Sequence, residues 1–160
     1  MALIFDQEDI LQLVGFKVGS KLFGANILTV REILRDPVIN SVGNVPSFVE
    51  GIIRLRGEVL PIIDLGRLLG VTVLAQRERI WALVAQAGKK RVGYIVDGVT
   101  PIIRVKTNAV FPAPDIIMQG LRSKYISGVC ETDKGLLVVV ELDRILLDDE
   151  VNAMNKLAIS

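Results

Sequence analysis

The chain has 160 residues, 51% of them apolar, 5% aromatic and 23% charged, with a formal net charge of +1 and no histidine. Interspersed, nearly balanced charge excludes the basic stripe of a nucleic-acid binder, and no apolar run approaches the ~20 residues needed to cross a bilayer. Without imidazole the usual general base and the commonest metal ligand are missing, so the residues point to binding rather than catalysis.

Val and Ile supply roughly a quarter of the chain, and branching at Cβ favours extended backbone. A mainly β protein with an aliphatic core is expected. Residues 1–10 read as a loose lead-in without a secretory signal. Segments 11–18 and 21–24 flank Gly19-Ser20 and predict a hairpin. Asn26-Ile27-Leu28 predicts one helical turn, 30–34 a short strand, and Asp36-Pro37 a turn. Ser47-Phe48-Val49-Glu50 has capping-box spacing, which predicts a helical turn ended by Gly51. A second hairpin pairs 51–56 with 58–63 around Gly57. Pro61 lacks an amide donor, which assigns its strand to an edge or a bulge. Asp64 is placed to cap a short helix over 65–69, stopped by Gly70.

The second half follows the same plan. Segments 80–85 and 91–96 flank Gly88-Lys89-Lys90, and 99–105 reads as another strand. Phe111-Pro112-Ala113-Pro114-Asp115 lies at the centre of an irregular stretch, 106–124. A last hairpin joins 125–131 to 136–140 around Asp133-Lys134-Gly135, and 141–146 reads as a short helix. A shift of 69 residues superposes Gly19 on Gly88, Lys21 on Lys90, Gly24 on Gly93, Val30 on Val99 and Arg35 on Arg104. A shift of 77 superposes Gly51 on Gly128, Leu65 on Leu142, Arg67 on Arg144 and Leu69 on Leu146. Order preserved across both blocks predicts two similar small barrels packed side by side.

No phosphate-cradling loop or dinucleotide fingerprint occurs, and no cofactor or metal is expected. Asp64 and Glu141 sit where helix caps are needed, and Asp97-Gly98 reads as a turn. The single Cys130 has no partner within the chain and reads as a small buried hydrophobe in a reducing compartment. Trp81 opens an apolar strand and reads as a core plug. The run Arg54-Leu55-Arg56-Gly57-Glu58 is less ordinary. It sets two guanidinium groups beside a hairpin tip, and alternation sends both to one face. Either their stems simply lie over the barrel, or an arginine near the junction of the barrels anchors a partner through its planar fork. Glu32 is placed to orient that arginine, to meet the same partner, or to stand solvated.

Phe23-Gly24-Ala25-Asn26-Ile27-Leu28-Thr29-Val30-Arg31-Glu32-Ile33 resembles the first signature of the CheW family of chemotaxis coupling proteins. Ile53-Arg54-Leu55-Arg56-Gly57-Glu58-Val59-Leu60-Pro61-Ile62-Ile63-Asp64-Leu65 resembles its central signature. Val96-Asp97-Gly98-Val99, Tyr125-Ile126-Ser127-Gly128 and the closing 136–146 segment follow in family order, so the resemblance covers residues 11–147. It implies one domain of two five-stranded, SH3-like β-barrels around a shared hydrophobic core, with short helices. We expect subdomains at about 11–70 and 80–147, with 1–10 and 148–160 as terminal extensions.

The resemblance also implies a non-catalytic, cytoplasmic adapter recruited to membrane-associated receptor arrays. It would join the cytoplasmic tip of a methyl-accepting chemotaxis receptor to the regulatory domain of the histidine kinase CheA. Receptor coupling would fall to Arg56 and Glu32, with Val30 beside them, and kinase contacts to exposed barrel ends. Too few residues remain for a receiver or kinase module, which favours a stand-alone adapter. Adapters of other chemosensory or twitching-motility pathways share these features. A small-barrel oligonucleotide or saccharide binder is the alternative from another class, and it requires a basic groove with stacking aromatics. No nucleic-acid partner and no insertion into the membrane are expected.

Overall fold

A computed structural model describes residues 9–71, 79–114 and 125–146. The glycine-marked turns fall where the sequence places them. Four antiparallel hairpins result: β1 (Ile10–Val18) with β2 (Lys21–Asn26), β4 (Val49–Leu55) with β5 (Glu58–Asp64), β6 (Trp81–Ala87) with β7 (Lys90–Val96), and β10 (Ile126–Thr132) with β11 (Gly135–Val140). A 3-10 turn, Ile27–Thr29, is capped by the Asn26 side chain and leads into β3 (Val30–Arg35). Asp64 accepts from the amides of Gly66 and Arg67 and so starts α1 (Leu65–Leu69), which Gly70 ends in the left-handed conformation.

Among the described residues the strands form two sheets. Sheet A runs β10-β11-β2-β1 and ends on β8 (Gly98–Val99) and β9 (Ile103–Lys106), while sheet B runs β3-β6-β7-β5-β4. These are two SH3-like barrels. In sheet B the bridge Asn40↔Ile52 ties the chain just beyond β3 to β4 at the opposite end, and Phe111↔Val129 does the same in sheet A. Each barrel has its own aliphatic filling. Ile53, Leu60, Ile62, Val84 and Ile95 fill barrel B, and Leu13, Leu22, Cys130, Leu137 and Val139 fill barrel A. Between the barrels lies a larger shared core, with Phe16, Phe23, Leu83, Val92, Tyr94 and Leu142 fully buried in it.

The barrels do not divide along the halves of the chain, which corrects the expected boundary between residues 70 and 80. Hairpin β1–β2 belongs to sheet A with β8–β11, and hairpin β6–β7 belongs to sheet B with β3–β5. Each visiting hairpin is held by a parallel ladder, Gly24↔Val139 in one barrel and Gly93↔Ile62 in the other. The repeat therefore survives in three dimensions. Bulges recur at Val49/Gly51 and Ile126/Gly128, 77 residues apart.

Local differences have local causes. Residues 47–48 form a turn closed by Val49 N–H donating to the Pro46 carbonyl, and Val49 and Glu50 then enter β4, so the capping-box spacing makes no helix. The expected 99–105 strand is broken around Pro101, which has no amide to give a ladder. The 141–146 segment is a turn rather than a helix, although Arg144 N–H does donate to the Glu141 carbonyl. β5 is not an edge strand, but Pro61 precedes the Ile62–Asp64 ladder to β7 and pairs on one side only, with Ile52.

At Gly51 a Cβ would collide with the Asn40 carbonyl oxygen, and at Gly128 with that of Phe111, so the closing bridge of each barrel requires glycine. Gly51→Ala is expected to lower stability by about 1–3 kcal/mol in urea denaturation. Gly43→Ala, where the added carbon meets nothing, should stay within about 0.5 kcal/mol of the parent.

Candidate functional site

The β4–β5 hairpin closes with Leu55 opposite Glu58, leaving Arg56-Gly57 as a two-residue loop. Both loop residues have positive φ, 49° and 82°. That is the type I′ pattern, which matches strand twist and ordinarily takes asparagine or glycine at its first position. Arginine there is unusual, and both of its terminal nitrogens are engaged. Nη1 donates to Glu32 Oε2 at 2.9 Å and Nη2 to Glu32 Oε1 at 2.6 Å, a bidentate pair.

Glu32 reaches Arg56 because of a bulge. β3 pairs with β6 as Val30↔Ala85 and then Glu32↔Val84, so Arg31 is the extra residue and the strand is re-aimed at that point. β3 and β4 are the two end strands of sheet B. The ion pair therefore spans the seam where the barrel closes, with Arg56 67% exposed and Glu32 25% exposed. The hydrogen bonds from Arg56 hold the Glu32 carboxyl below its ordinary pKa, and the positive fields of Arg56 and Arg91 add to this. The same bonds raise Arg56.

Two of the three expected site residues thus meet. Val30 does not join them: it is half-buried and packs against the shared core. Arg54 and Arg56 do not share a strand face, since Arg56 has left the strand for the turn while Arg54 stays in β4 opposite Val59. A second ion pair, Arg91 to Glu58 at 3.8 Å, stands beside the first and was not foreseen. Its signal was the basic run at the β6–β7 tip, Lys89-Lys90-Arg91.

The remaining candidates are structural. Asp97 accepts from the Gly19 amide at 2.6 Å and so ties β7 to the β1–β2 tip. Asp64 caps α1 and lies 3.8 Å from Arg67, which also reaches Glu50 at 3.3 Å. Cys130 is buried in barrel A, and burial pushes its thiol pKa up. Trp81 is half-buried against the shared core with the Arg35 guanidinium 5.7 Å from its ring centre.

A family model described as CheW-like domain matches residues 12–150. The chain belongs to the CheW family. It is 35% identical to the chemotaxis protein CheW of Rhizobium meliloti over 142 residues, which is 89% of this chain and 91% of that one. It is 28% identical to the chemotaxis protein CheW of Klebsiella aerogenes over 143 residues, 89% and 86% of the two chains. The structure matches the crystal structure of the scaffolding protein TtCheW from Thermoanaerobacter tengcongensis with a TM-score of 0.78 and 25% identity, over 91% of this chain and 93% of that one. The function is that of a chemotaxis coupling scaffold, and the CheW family is a family of non-catalytic scaffolds.

A carboxyl whose pKa is lowered by folding contributes stability above its unfolded pKa and loses it as pH falls through the folded value. Accordingly, NMR titration of the Glu32 carboxyl should give a midpoint below that of an ordinary glutamate. In Arg56→Gln the midpoint should rise toward the ordinary value, because the hydrogen bonds that lower it are lost. An unchanged midpoint would mean that the pair does not form in solution.

Proposed function

We propose that this chain is a non-catalytic adapter that joins the cytoplasmic tip of a methyl-accepting chemotaxis receptor to the regulatory domain of the histidine kinase CheA. It acts in the cytoplasm, at membrane-associated receptor arrays. Arg56 is the receptor anchor, Glu32 orients it, and Val30 supports the strand that carries Glu32. The observation that carries the reading is the Arg56–Glu32 pair: a bidentate, oriented arginine at a tip with positive φ, on a fold shared with chemotaxis scaffolds. An arginine already fixed by its own chain loses little further freedom when a partner arrives. Signalling gain then comes from multivalent assembly, in which tethering raises effective concentration.

A small-barrel binder of oligonucleotide or saccharide fits less well. Among the described residues Phe111 is the one aromatic side chain that stands exposed, and base or sugar stacking needs several. Among the described residues, too, no helix is long and apolar enough to cross a membrane.

Pull-down with a receptor cytoplasmic fragment and with the kinase regulatory domain tests the reading, and a folded parent that captures neither would end it. Arg56→Asn separates anchor from turn former, since asparagine suits the left-handed position that arginine occupies. This variant is expected to melt no lower than the parent, to lose receptor binding at least about tenfold, and to keep kinase binding. Parent-like receptor affinity would remove Arg56 from the site.

A further inference from the structure

The internal duplication provides a comparison within one molecule. Positions that the fold needs recur in both barrels: Ile53, Leu60 and Ile62 fill barrel B where Cys130, Leu137 and Val139 fill barrel A. The charges at the hairpin tips do not recur. β5 and β7 are parallel, so the β4–β5 and β6–β7 tips lie at the same end of barrel B. Arg31, Arg54, Arg56, Lys89, Lys90 and Arg91 gather there with three carboxylates, Glu32, Glu58 and Asp143, the last from the turn after β11. Six cations against three carboxylates leave a net of three positive charges on this end. At the equivalent places of barrel A there is one cation, Lys21, with two carboxylates, Glu131 and Asp133, and the rest are uncharged.

Three of the six cations, Arg31, Arg54 and Lys89, are exposed and form no ion pair among the described residues. Arg31 is the extra residue of the β3 bulge and lines a hollow with Gln86, Gly88 and the Asp143 carboxylate. Lys89 and Arg91 line an adjoining cleft with Glu58 and Val59. The fold has no use for these charges, since the other barrel closes without them. They raise the potential over the end that carries the oriented Arg56.

We propose that this end of barrel B is an electropositive docking face for an acidic segment of the receptor-side partner, with Arg31, Arg54 and Arg91 as binding residues beyond Arg56. The proposal deepens the adapter reading and rests on it. The two terminal nitrogens of Arg56 are engaged by Glu32, but Nε–H and the outer N–H groups remain to meet a carboxylate or carbonyl side-on. Arg31 and Arg54 supply the longer-range attraction that speeds encounter. Glu32 and Glu58 interrupt the positive face, which opposes a continuous run of phosphates but admits separate acidic side chains. A protein segment therefore suits it better than nucleic acid or an anionic bilayer.

Association kinetics with a receptor cytoplasmic fragment, measured by surface plasmon resonance, test this. The association rate of the parent should fall roughly tenfold between about 50 and about 300 mM NaCl. Arg31→Gln combined with Arg54→Gln should lower it about tenfold at the low-salt end. Lys21→Gln combined with Lys134→Gln takes the same charge from barrel A and should leave it within about twofold. All four side chains are exposed, so thermal melts should coincide and confirm that both pairs fold. Equal effects of the two double variants, or a salt-independent rate, would overturn the proposal while leaving the adapter reading intact. Displacement of the fragment by phosphatidylserine vesicles would overturn it in favour of a lipid surface. A parent that binds no fragment at any salt concentration would overturn the adapter reading itself.

Discussion

The whole structure depends on two parallel ladders, Gly24↔Val139 and Gly93↔Ile62. Hairpins form between strands adjacent in sequence, but a parallel neighbour has to arrive over a long connection. Here each barrel takes that neighbour from the other half of the chain. Barrel A lacks its middle without β1–β2, and barrel B lacks its middle without β6–β7. Neither barrel is complete until both halves are present. Glycine on one side of each ladder leaves room for the core beneath it, because a Cβ on Gly24 would press on the side-chain tip of Leu137 and one on Gly93 on that of Ile62.

The exchange also explains the size of the shared core. The visiting hairpins carry Phe16 and Phe23, stacked with centroids 5.8 Å apart, and Leu83, Val92 and Tyr94, to the surface where the barrels meet. Tyr94 donates its hydroxyl proton to the Leu142 carbonyl across that surface at 3.0 Å, so its polar end is satisfied although its ring is fully buried. Sliding one barrel over the other would break this contact and the bond from the Gly19 amide to Asp97. The protein is thus built as one stiff block. For a coupling scaffold that is useful, because a block transmits the position of one partner to another without absorbing it in hinge motion.

Much of this was legible in the sequence because hairpins are local. Gly19-Ser20, Gly57, Gly88 and Gly135 each mark a turn, and strands on either side need only two to four residues between them. The duplication was legible as well, through its 69- and 77-residue shifts. Which hairpin pairs with which was not, since a parallel ladder between Gly24 and Val139 leaves no periodic mark in either segment. The same limit applies to short helices. Asp64 succeeded as a cap because five helical residues and a left-handed Gly70 follow it, whereas Ser47 is followed by residues already committed to β4. Glu32 and Arg56 could be nominated from residue type and position. The type I′ turn and the Arg31 bulge that join them could not, and the basic 89–91 run signals a charged tip without naming Glu58 as the partner of Arg91.

Arg56 shows why local rules fail at such a site. Every local preference of the β4–β5 loop calls for asparagine at its first residue, and a left-handed arginine works against the turn it occupies. The corresponding turn of barrel A carries Asp133 at that place without a left-handed backbone, and Pro101 stands where Glu32 would be. Both barrels close, so neither the arginine nor its glutamate is demanded by closure. An unfavourable residue present in one copy of a repeat and absent from the other is not explained by what the two copies share. A conflict between turn chemistry and sequence is expected where binding, rather than stability, sets the residue. Such internal comparison separates the two kinds of position without reference to any other protein. It groups the glycines and aliphatic fillers with the architecture, and leaves the charged tip of barrel B as the part that the duplication does not account for.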